Sequence, residues 1–364
     1  MQCVTAFINK QALIDNIKVI KAKVPNSKII AVVKANAYGH GLIAVADALK
    51  ERVDAYAVSR ISEAMELRRH GIEKQPIVLL EGFYNDEDLA YISKFNLFTA
   101  VHDEEQVEAI ERVKLAKPIH AWLKIDVGMH RLGSHDKAEI FRLKERLEKS
   151  PNVIKPIGLI SHLSVADTPS HVEYNKEQIE FFNDIAKEFD GDKCLANSAG
   201  ICRWPESHTQ WVRPGIIMYG ISPFDDEDAK SLGLKPVMTL KSRILATHKI
   251  KKGDKVGYGA YYVADKDTTI GIVATGYGDG YPRSAPNGTP VLVNGRIVPT
   301  AGHVCMDMLF VDLGENATDK VGDEVVLWGD GLPVEKIASL CNTIPYELTC
   351  HLLRIGLLQR LIYK

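Results

Sequence analysis

IIAVVKANAYGHGLIAVADALKER, residues 29–52, reads as a strand, a loop and a helix in succession. Its first six residues form an apolar run closed by Lys34. From Leu42 the apolar residues fall at spacings of three and four, the helical period. The same unit recurs along the chain. Further strand-like runs are AYAVS (55–59), PIVLLEG (76–82), LFTAV (97–101) and IHAWLKID (119–126). They continue with PIGLISHL (156–163), KCLAN (193–197) and WVRPGIIMYG (211–220), eight in all. Helix-like stretches such as SEAMELRRHG, DEEQVEAIERV and KAEIFRLKERLEKS lie between most of them. Ser62 before Glu63, and Asp103 before Glu104 and Glu105, read as N-caps with acidic first turns. Eight such units over about 220 residues match a (β/α)8 barrel, a TIM-type fold, in number and length.

Near residue 230 the period changes. KPVMTLKSRILATHKI, TTIGIVATGYGDG, TPVLVNGRIVP, CMDMLFVDL and DEVVLWGD are β-rich and are punctuated by Gly, Pro, Asn and Asp. Asn287-Gly288 and Asn294-Gly295 are hairpin signals. Only Val334 to Cys341 reads clearly as helix. The expected organisation is a barrel over 9–229 and a mostly-β C-terminal domain over 230–364, with residues 1–8 packing on the latter. No internal repeat beyond the βα unit is visible.

Composition narrows the function classes. Of the 364 residues, 46% are apolar and 25% charged, which suits a well-buried core. The net charge of -2 gives no electrostatic reason to expect nucleic acid or an anionic membrane as partner. No apolar run is long enough to cross a bilayer, and the first residues show no secretory pattern. Cysteines at 3, 194, 202, 305, 341 and 350 include no C-x-x-C pair. They read as small buried hydrophobes in a reducing compartment, so a cytoplasmic protein is expected. The 12 histidines show no zinc spacing, and no metal is expected.

In a barrel the active site is built by the C-terminal strand ends and the loops after them. The first such end carries Lys34. Burying an ammonium is costly, and desolvation lowers the pKa and frees the amine as a nucleophile. Taken alone, a lysine reaching from a strand end to water is the better explanation of Lys34. The fifth run leads into KIDVGMHRLG, with Lys124 and Arg131. The sixth carries His162, the seventh Asn197 and Ser198, and the eighth Arg213 before Pro214, Gly215 and Ile216. Each has an ordinary alternative: a surface ion pair for Arg131, a satisfied core histidine for His162, a helix cap for Ser198. Polar or cationic groups at five tips of eight are harder to explain that way. Ser198, Gly215 and Ile216 offer hydroxyl and N–H donors after strands seven and eight, the usual phosphate position in barrels. A phosphorylated ligand beside a strand-end lysine points to pyridoxal phosphate.

In the β-rich part, GYGAYY sets Tyr258 in a glycine-flanked turn, and GYGDG sets Tyr277 in another. Gly276, Gly278 and Gly280 are not a dinucleotide fingerprint, because no strand–turn–helix unit follows. The two tyrosines are either packed ring edges or phenols presented at another domain's cleft.

Taken in order, VVKANAYGHG, KIDVGMHRLG, SHLSVAD, ANSAG, VRPGIIMYG, GYGAYY, GYGDG and CMDM resemble bacterial alanine racemases over essentially the whole chain. The resemblance implies a pyridoxal-phosphate barrel plus β domain acting as a homodimer with shared sites. It also implies racemisation of alanine by two bases, supplying D-alanine for peptidoglycan. Lys34 matches the Schiff-base lysine, which is also the base facing the D-side α-proton. Tyr258 matches the tyrosine contributed by the partner as base for the L-isomer. A phenol titrates near ~10, so its use as a base needs help, and His162 is expected in that network. Arg213 matches the arginine facing the pyridine nitrogen, and Arg131 the residue near the cofactor's phenolic oxygen and the substrate carboxylate. Lys124 matches a lysine carbamylated in many relatives. Tyr38, Ser198, Gly215 and Ile216 match phosphate ligands. Met306 and Asp307 match the partner segment lining the substrate pocket, and Tyr277 is expected at its edge. Val127 and His303 depart from the family's usual threonine and arginine, and Arg354 stands close to, but not securely at, a further phosphate contact.

Other readings remain at this point. A racemase of the same build could act on serine, lysine or several amino acids. A decarboxylase of this architecture fits the GYGAYY and CMDM contexts less well. A non-catalytic pyridoxal-phosphate carrier would need neither the second domain nor Tyr258.

Overall fold

The computed structural model describes residues 4–354 and 361–363, with the side chains at 353, 354, 361 and 362 left aside. The Arg354 side chain, the doubtful phosphate contact, is thus outside the described residues. Strands Lys28–Val32, Ala55–Val58, Ile77–Leu79, Phe98–Val101, His120–Lys124, Gly158–Ile160, Lys193–Cys194 and Trp211–Val212 form a closed parallel barrel. Closure is direct: Lys28 pairs with Trp211 and Ile29 with Val212. Strands covered by helices on one side and by barrel filling on the other are buried on both faces. That is why they are continuous apolar runs. Inside, Gly158 leaves room for the Trp122 indole, which a Cβ there would meet at 2.8 Å.

Each strand is shorter than its apolar run. The first stops at Val32, so Lys34 does not close a strand but opens the turn beyond it. WVRPGIIMYG gives only Trp211–Val212, and the remainder forms a 3-10 turn, Ile216–Tyr219. The leftover apolar residues are buried at the barrel mouth instead of extending the ladder. Asp103 caps its helix as expected, accepting from the Gln106 N–H at 2.8 Å. Ser62 does not. It lies inside the helix Ile61–Arg69, whose first turn is satisfied by Glu63 accepting from the Ser59 and Arg60 N–H groups at 3.1 Å each.

The mostly-β part is built on a long bulged strand, Met238–Ile250. One edge of its sheet runs Arg296–Pro299, Pro290–Val293, Glu324–Trp328 and then Met238–Ile250. The sheet continues through Thr5–Ile8 to Leu361–Tyr363. Thr268–Val273 and Leu309–Asp312 extend the other part of the long strand. The N-terminal strand therefore belongs to this sheet and not to the barrel. Asn294-Gly295 joins two paired strands with both residues at positive φ, the primed hairpin turn its sequence announces. Asn287-Gly288 joins no hairpin; the Asn287 side chain accepts from the Gly302 N–H at 2.7 Å. A helix that periodicity did not single out, Pro345–Arg354, buries Leu348 and Leu352. Pro345 is its first residue, where the ring is tolerated.

Asn16, fully buried on the first helix (Lys10–Lys23), links the two parts. Its amide donates to the Met218 and Lys235 carbonyls at 3.0 and 2.8 Å and accepts from the Lys235 N–H at 2.8 Å. A buried amide satisfied on both sides fixes the entry angle of the chain into the β part.

Candidate active site

The turn after Val33 is unusual. Ala35, Asn36, Ala37 and Tyr38 all take left-handed backbone angles, with φ of 51°, 52°, 54° and 50°. For residues with a Cβ this costs about 1–2 kcal/mol each, so something must hold it. The Glu63 carboxylate accepts from the Ala35 N–H at 2.7 Å, and the Asn36 side chain accepts from Leu42 at 2.5 Å. His40 is fully buried and stacked on Tyr219, with ring centroids 4.4 Å apart. Burial lowers its pKa to about 4, so the ring is neutral. Its Nδ1 lies 2.9 Å from the Tyr38 carbonyl, which can only accept, so Nδ1 carries the hydrogen. The turn directs Lys34 and Tyr38 towards the mouth of the barrel.

There they line a cavity of about 1500 Å³ together with Lys124, Arg131, His162, Ser198, Arg213, Gly215 and Ile216. Burial lowers the Lys34 pKa first of all; Glu81 opposes this, and Arg131 and Arg213 add to it. Lys124 is pushed down to about 7 by burial and by the same two arginines, and its ammonium donates to the Leu80 carbonyl at 2.9 Å. Arg213 is buried and donates to the Ser161 carbonyl at 2.7 Å; it also lies 3.1 Å from the Cys194 sulfur and 3.2 Å from His162 Nδ1. His162 is held well below its ordinary pKa by burial and then by Arg213, Arg131, Lys124 and Lys34.

Local hydrogen bonds aim the remaining groups. Asp126 accepts from the Gly128 and Arg131 N–H groups at 2.6 and 3.1 Å, folding the GMHR loop so that Arg131 reaches the cavity. Val127, at the position of the usual threonine, is buried. Asn197, not Ser198, caps the helix Ser198–Arg203. Ser198 is free to accept from the Gly215 N–H at 2.9 Å. A Cβ on Gly215 would lie 2.9 Å from the Tyr38 hydroxyl, so these two residues and Ser198 form one tight polar corner.

Tyr258, Tyr277, Met306 and Asp307 do not line this cavity. Tyr258 is 73% exposed on the β part, and Met306 and Asp307 are also exposed. The GYGDG and CMDM segments are bound to each other: the Tyr277 N–H donates to the Cys305 carbonyl and that of Gly278 to the Met306 carbonyl, at 3.0 and 2.8 Å. His303 sets its ring edge against Tyr261.

Sequence reasoning gave no role to Glu81, Asp126 or His40, and it read Glu63 only as an acidic first-turn residue of its helix. Asp126 sat in view inside KIDVG, two residues before a glycine, the signature of a side chain closing its own turn. Glu81 ended the run PIVLLEG, a carboxylate directly after buried strand residues.

Models of the N- and C-terminal domains of alanine racemase match residues 8–223 and 237–356. An alanine racemase of Aeromonas hydrophila is 54% identical over 348 residues, 96% of each chain, and one of Vibrio vulnificus 52% identical over 354 residues, 97% of each. Among solved structures, the biosynthetic alanine racemase of Pseudomonas aeruginosa superposes with a TM-score of 0.94 at 40% identity, covering 100% of this chain and 99% of that one. The alanine racemase of Acinetobacter baumannii gives 0.90 at 34% identity over the same shares.

Proposed function

The chain belongs to the alanine racemase family, isomerases that use pyridoxal 5'-phosphate to interconvert L- and D-alanine, and we propose that here Lys34 and the Tyr258 of a second copy exchange the α-proton. Racemisation of alanine, which provides D-alanine for peptidoglycan, follows from that membership. The assignment of individual residues rests on one observation above all. Lys34, Arg131, Arg213 and the Tyr38–Ser198–Gly215 corner open on one cavity at the strand ends.

The donor set there fits the cofactor. Hydroxyls of Tyr38 and Ser198 with backbone at Gly215 and Ile216 suit a phosphate, and a side chain at Gly215 would fill the corner. An amine with a lowered pKa suits the carbonyl carbon of the cofactor. When bound, pyridoxal phosphate supplies an electron-withdrawing ring that eases loss of the α-proton. The protein must then hold the substrate carboxylate and move a proton on each side. Arg131 offers a fork that matches a carboxylate. Lys34 Nζ, desolvated, takes a proton on one side and returns it. Arg213 is a cation that does not give up its proton. It can stabilise negative charge on a neighbouring atom but cannot act as an acid.

A second proton carrier on the opposite side is required, because inversion returns the proton to the other face. No tyrosine of the cavity's own wall is suited: Tyr38 has its pKa raised above the ordinary phenol range by burial first, and so has Tyr346. Tyr258 is an exposed phenol on the same chain's β part, so a second copy must bring it. Exposed Tyr258, Tyr261, Met306 and Met308 supply an apolar docking face for that homodimer. No helix among the described residues is long and apolar enough to cross a membrane. A cytoplasmic location belongs to the same reading, and thiols such as Cys194 and Cys202 fit a reducing compartment.

Two experiments test this. Borohydride reduction of the cofactor-loaded protein followed by peptide mapping is expected to place the pyridoxyl group on Lys34; a label elsewhere overturns the assignment. Mixing Lys34→Ala and Tyr258→Ala proteins after dissociation should restore roughly a quarter of native activity, since a two-fold hybrid has one intact site of two. No recovery in hybrids shown to form contradicts the shared site. Substrate breadth is measured by assaying alanine, serine and lysine side by side.

A further inference from the structure

Lys34, Lys124, Arg131 and Arg213 bring two amines and two guanidinium groups to one cavity, and Glu81 shares its wall. Glu81 follows Leu80, the residue whose carbonyl receives the Lys124 ammonium at 2.9 Å. Its carboxylate is held from the outer side. The Tyr84 hydroxyl donates to Oε2 at 2.8 Å, and Arg60 lies 3.6 Å from the same oxygen. Arg60 also donates to the Tyr84 hydroxyl, so the three residues form a closed rim. Burial raises the Glu81 pKa, but bonds from Tyr84 and Ser59, with Arg60 and Lys34, outweigh it and hold the carboxyl below its ordinary range. Glu81 is therefore ionised at neutral pH.

Among the charges acting on Lys34, Glu81 and Glu63 favour its ammonium, and Arg131 and Arg213 oppose it. Lys124 and the neutral His162 line the same cavity. His102 flanks Glu81 and Lys124, and its pKa is lowered by burial first. Of the two carboxylates, Glu63 is committed to the N–H groups of Ala35, Ser59 and Arg60 and serves the backbone. Glu81 makes no such backbone commitment through its bonds to Tyr84 and Arg60. It is the negative group beside both lysines.

We propose that Glu81 is a positioning residue for proton exchange: fixed by Tyr84 and Arg60, it balances the cationic cluster so that Lys34 can keep a proton between taking it and returning it. Two arginines and burial all favour the neutral amine. An amine that is too weak a base takes the α-proton poorly and loses it to water. A neighbouring opposite charge favours the protonated form, and Glu81 is foremost among the groups opposing the loss of the proton from Lys34.

The inference rests on Lys34 being a proton-exchanging group, and its test separates the two. In the cofactor-free full chain, the rate of Lys34 acetylation is followed against pH by peptide mass spectrometry. Glu81→Gln is expected to lower the apparent pKa of Lys34 by about one unit, and Glu81→Asp to restore most of it. Tyr84→Phe, a change on the exposed rim, should give a smaller shift in the same direction and serves if Glu81→Gln does not fold. In the loaded enzyme the acid limb of the pH profile for D-alanine should move down by the same amount, with the thermal midpoint unchanged. A Lys34 titration that stays in place in both Glu81→Gln and Tyr84→Phe overturns the proposal, whatever borohydride labels. A borohydride label on another lysine defeats the Lys34 assignment even if the titration moves.

Discussion

Arg213 Nη2 lies 3.2 Å from His162 Nδ1, and only one direction of that hydrogen bond is possible. A guanidinium has donors and no acceptor, and it keeps its proton. His162 Nδ1 must therefore accept, which puts the ring hydrogen on Nε2. Burial, then Arg213, Arg131, Lys124 and Lys34, keep the imidazole from taking a second proton. The pair is one cation with its orientation locked. Arg213→Lys keeps the charge but cannot serve Ser161, Cys194 and His162 at once. Leaving a buried acceptor unpaired costs about 1–3 kcal/mol. Racemisation kcat/KM is expected to fall by at least about tenfold, and unchanged kinetics would show that the planar fork is not needed.

Lys124 gives a pH dependence with a definite sign. Its folded pKa, about 7, lies below the ordinary 10.5, with burial as the first cause. Below pH 7 both folded and unfolded chains carry the proton, so the penalty of a buried ammonium is fully present. Between about 7 and 10.5 the unfolded chain binds more protons than the folded one, and stability rises with pH. Above that range the penalty is gone. Lys124→Met should accordingly stabilise the cofactor-free protein near pH 6, by a few kcal/mol at most, with the advantage vanishing towards pH 10. Thermal midpoints across that range measure it. A constant difference would mean that Lys124 is not titrating as the free amine.

Gly215 combines a steric and a backbone constraint. Its backbone angles, φ -121° and ψ -96°, lie outside the regions open to residues with a Cβ, so alanine adds backbone strain to the contact. The new methyl would stand 2.9 Å from the Tyr38 hydroxyl. Gly215→Ala should weaken pyridoxal-phosphate binding by about tenfold or more, seen in a fluorescence titration, and should also lower the thermal midpoint of the cofactor-free protein through backbone strain. Unaltered affinity would remove this corner from the phosphate site.

Tyr258→Phe separates the two faces of the reaction. A well-placed acid or base contributes about 10²–10⁴ in rate. Loss of α-deuterium from L-alanine should slow by about that range, and loss from D-alanine much less. Equal slowing of both defeats the two-base assignment.

Local sequence carried the barrel and much of its rim. Strands buried on both faces must be apolar throughout, so IIAVVK and its successors stand out from the helices between them. Groups at strand tips are local in sequence as well, which is why Lys34, Lys124, His162, Ser198 and Arg213 could be picked out individually. Where local reasoning failed, it failed at boundaries. Apolar residues such as Ile216 and Ile217 are buried without being strand, and the helix Pro345–Arg354 was not singled out from its period.

Tertiary structure decided what those groups do to one another. Lys34 is held by a left-handed turn whose supports, Glu63 and His40, lie elsewhere on the chain or looked like spacers within it. Ser198 is an acceptor for Gly215 only because Asn197 took the helix cap. Glu81 acquires meaning from two lysines 47 and 43 positions away in sequence, by simple subtraction of their numbers. The physical reason is range. Helix and strand patterns are set by neighbours within a few residues. The protonation of a buried amine is set instead by every charge and every missing water around it, and those are assembled only when the barrel closes.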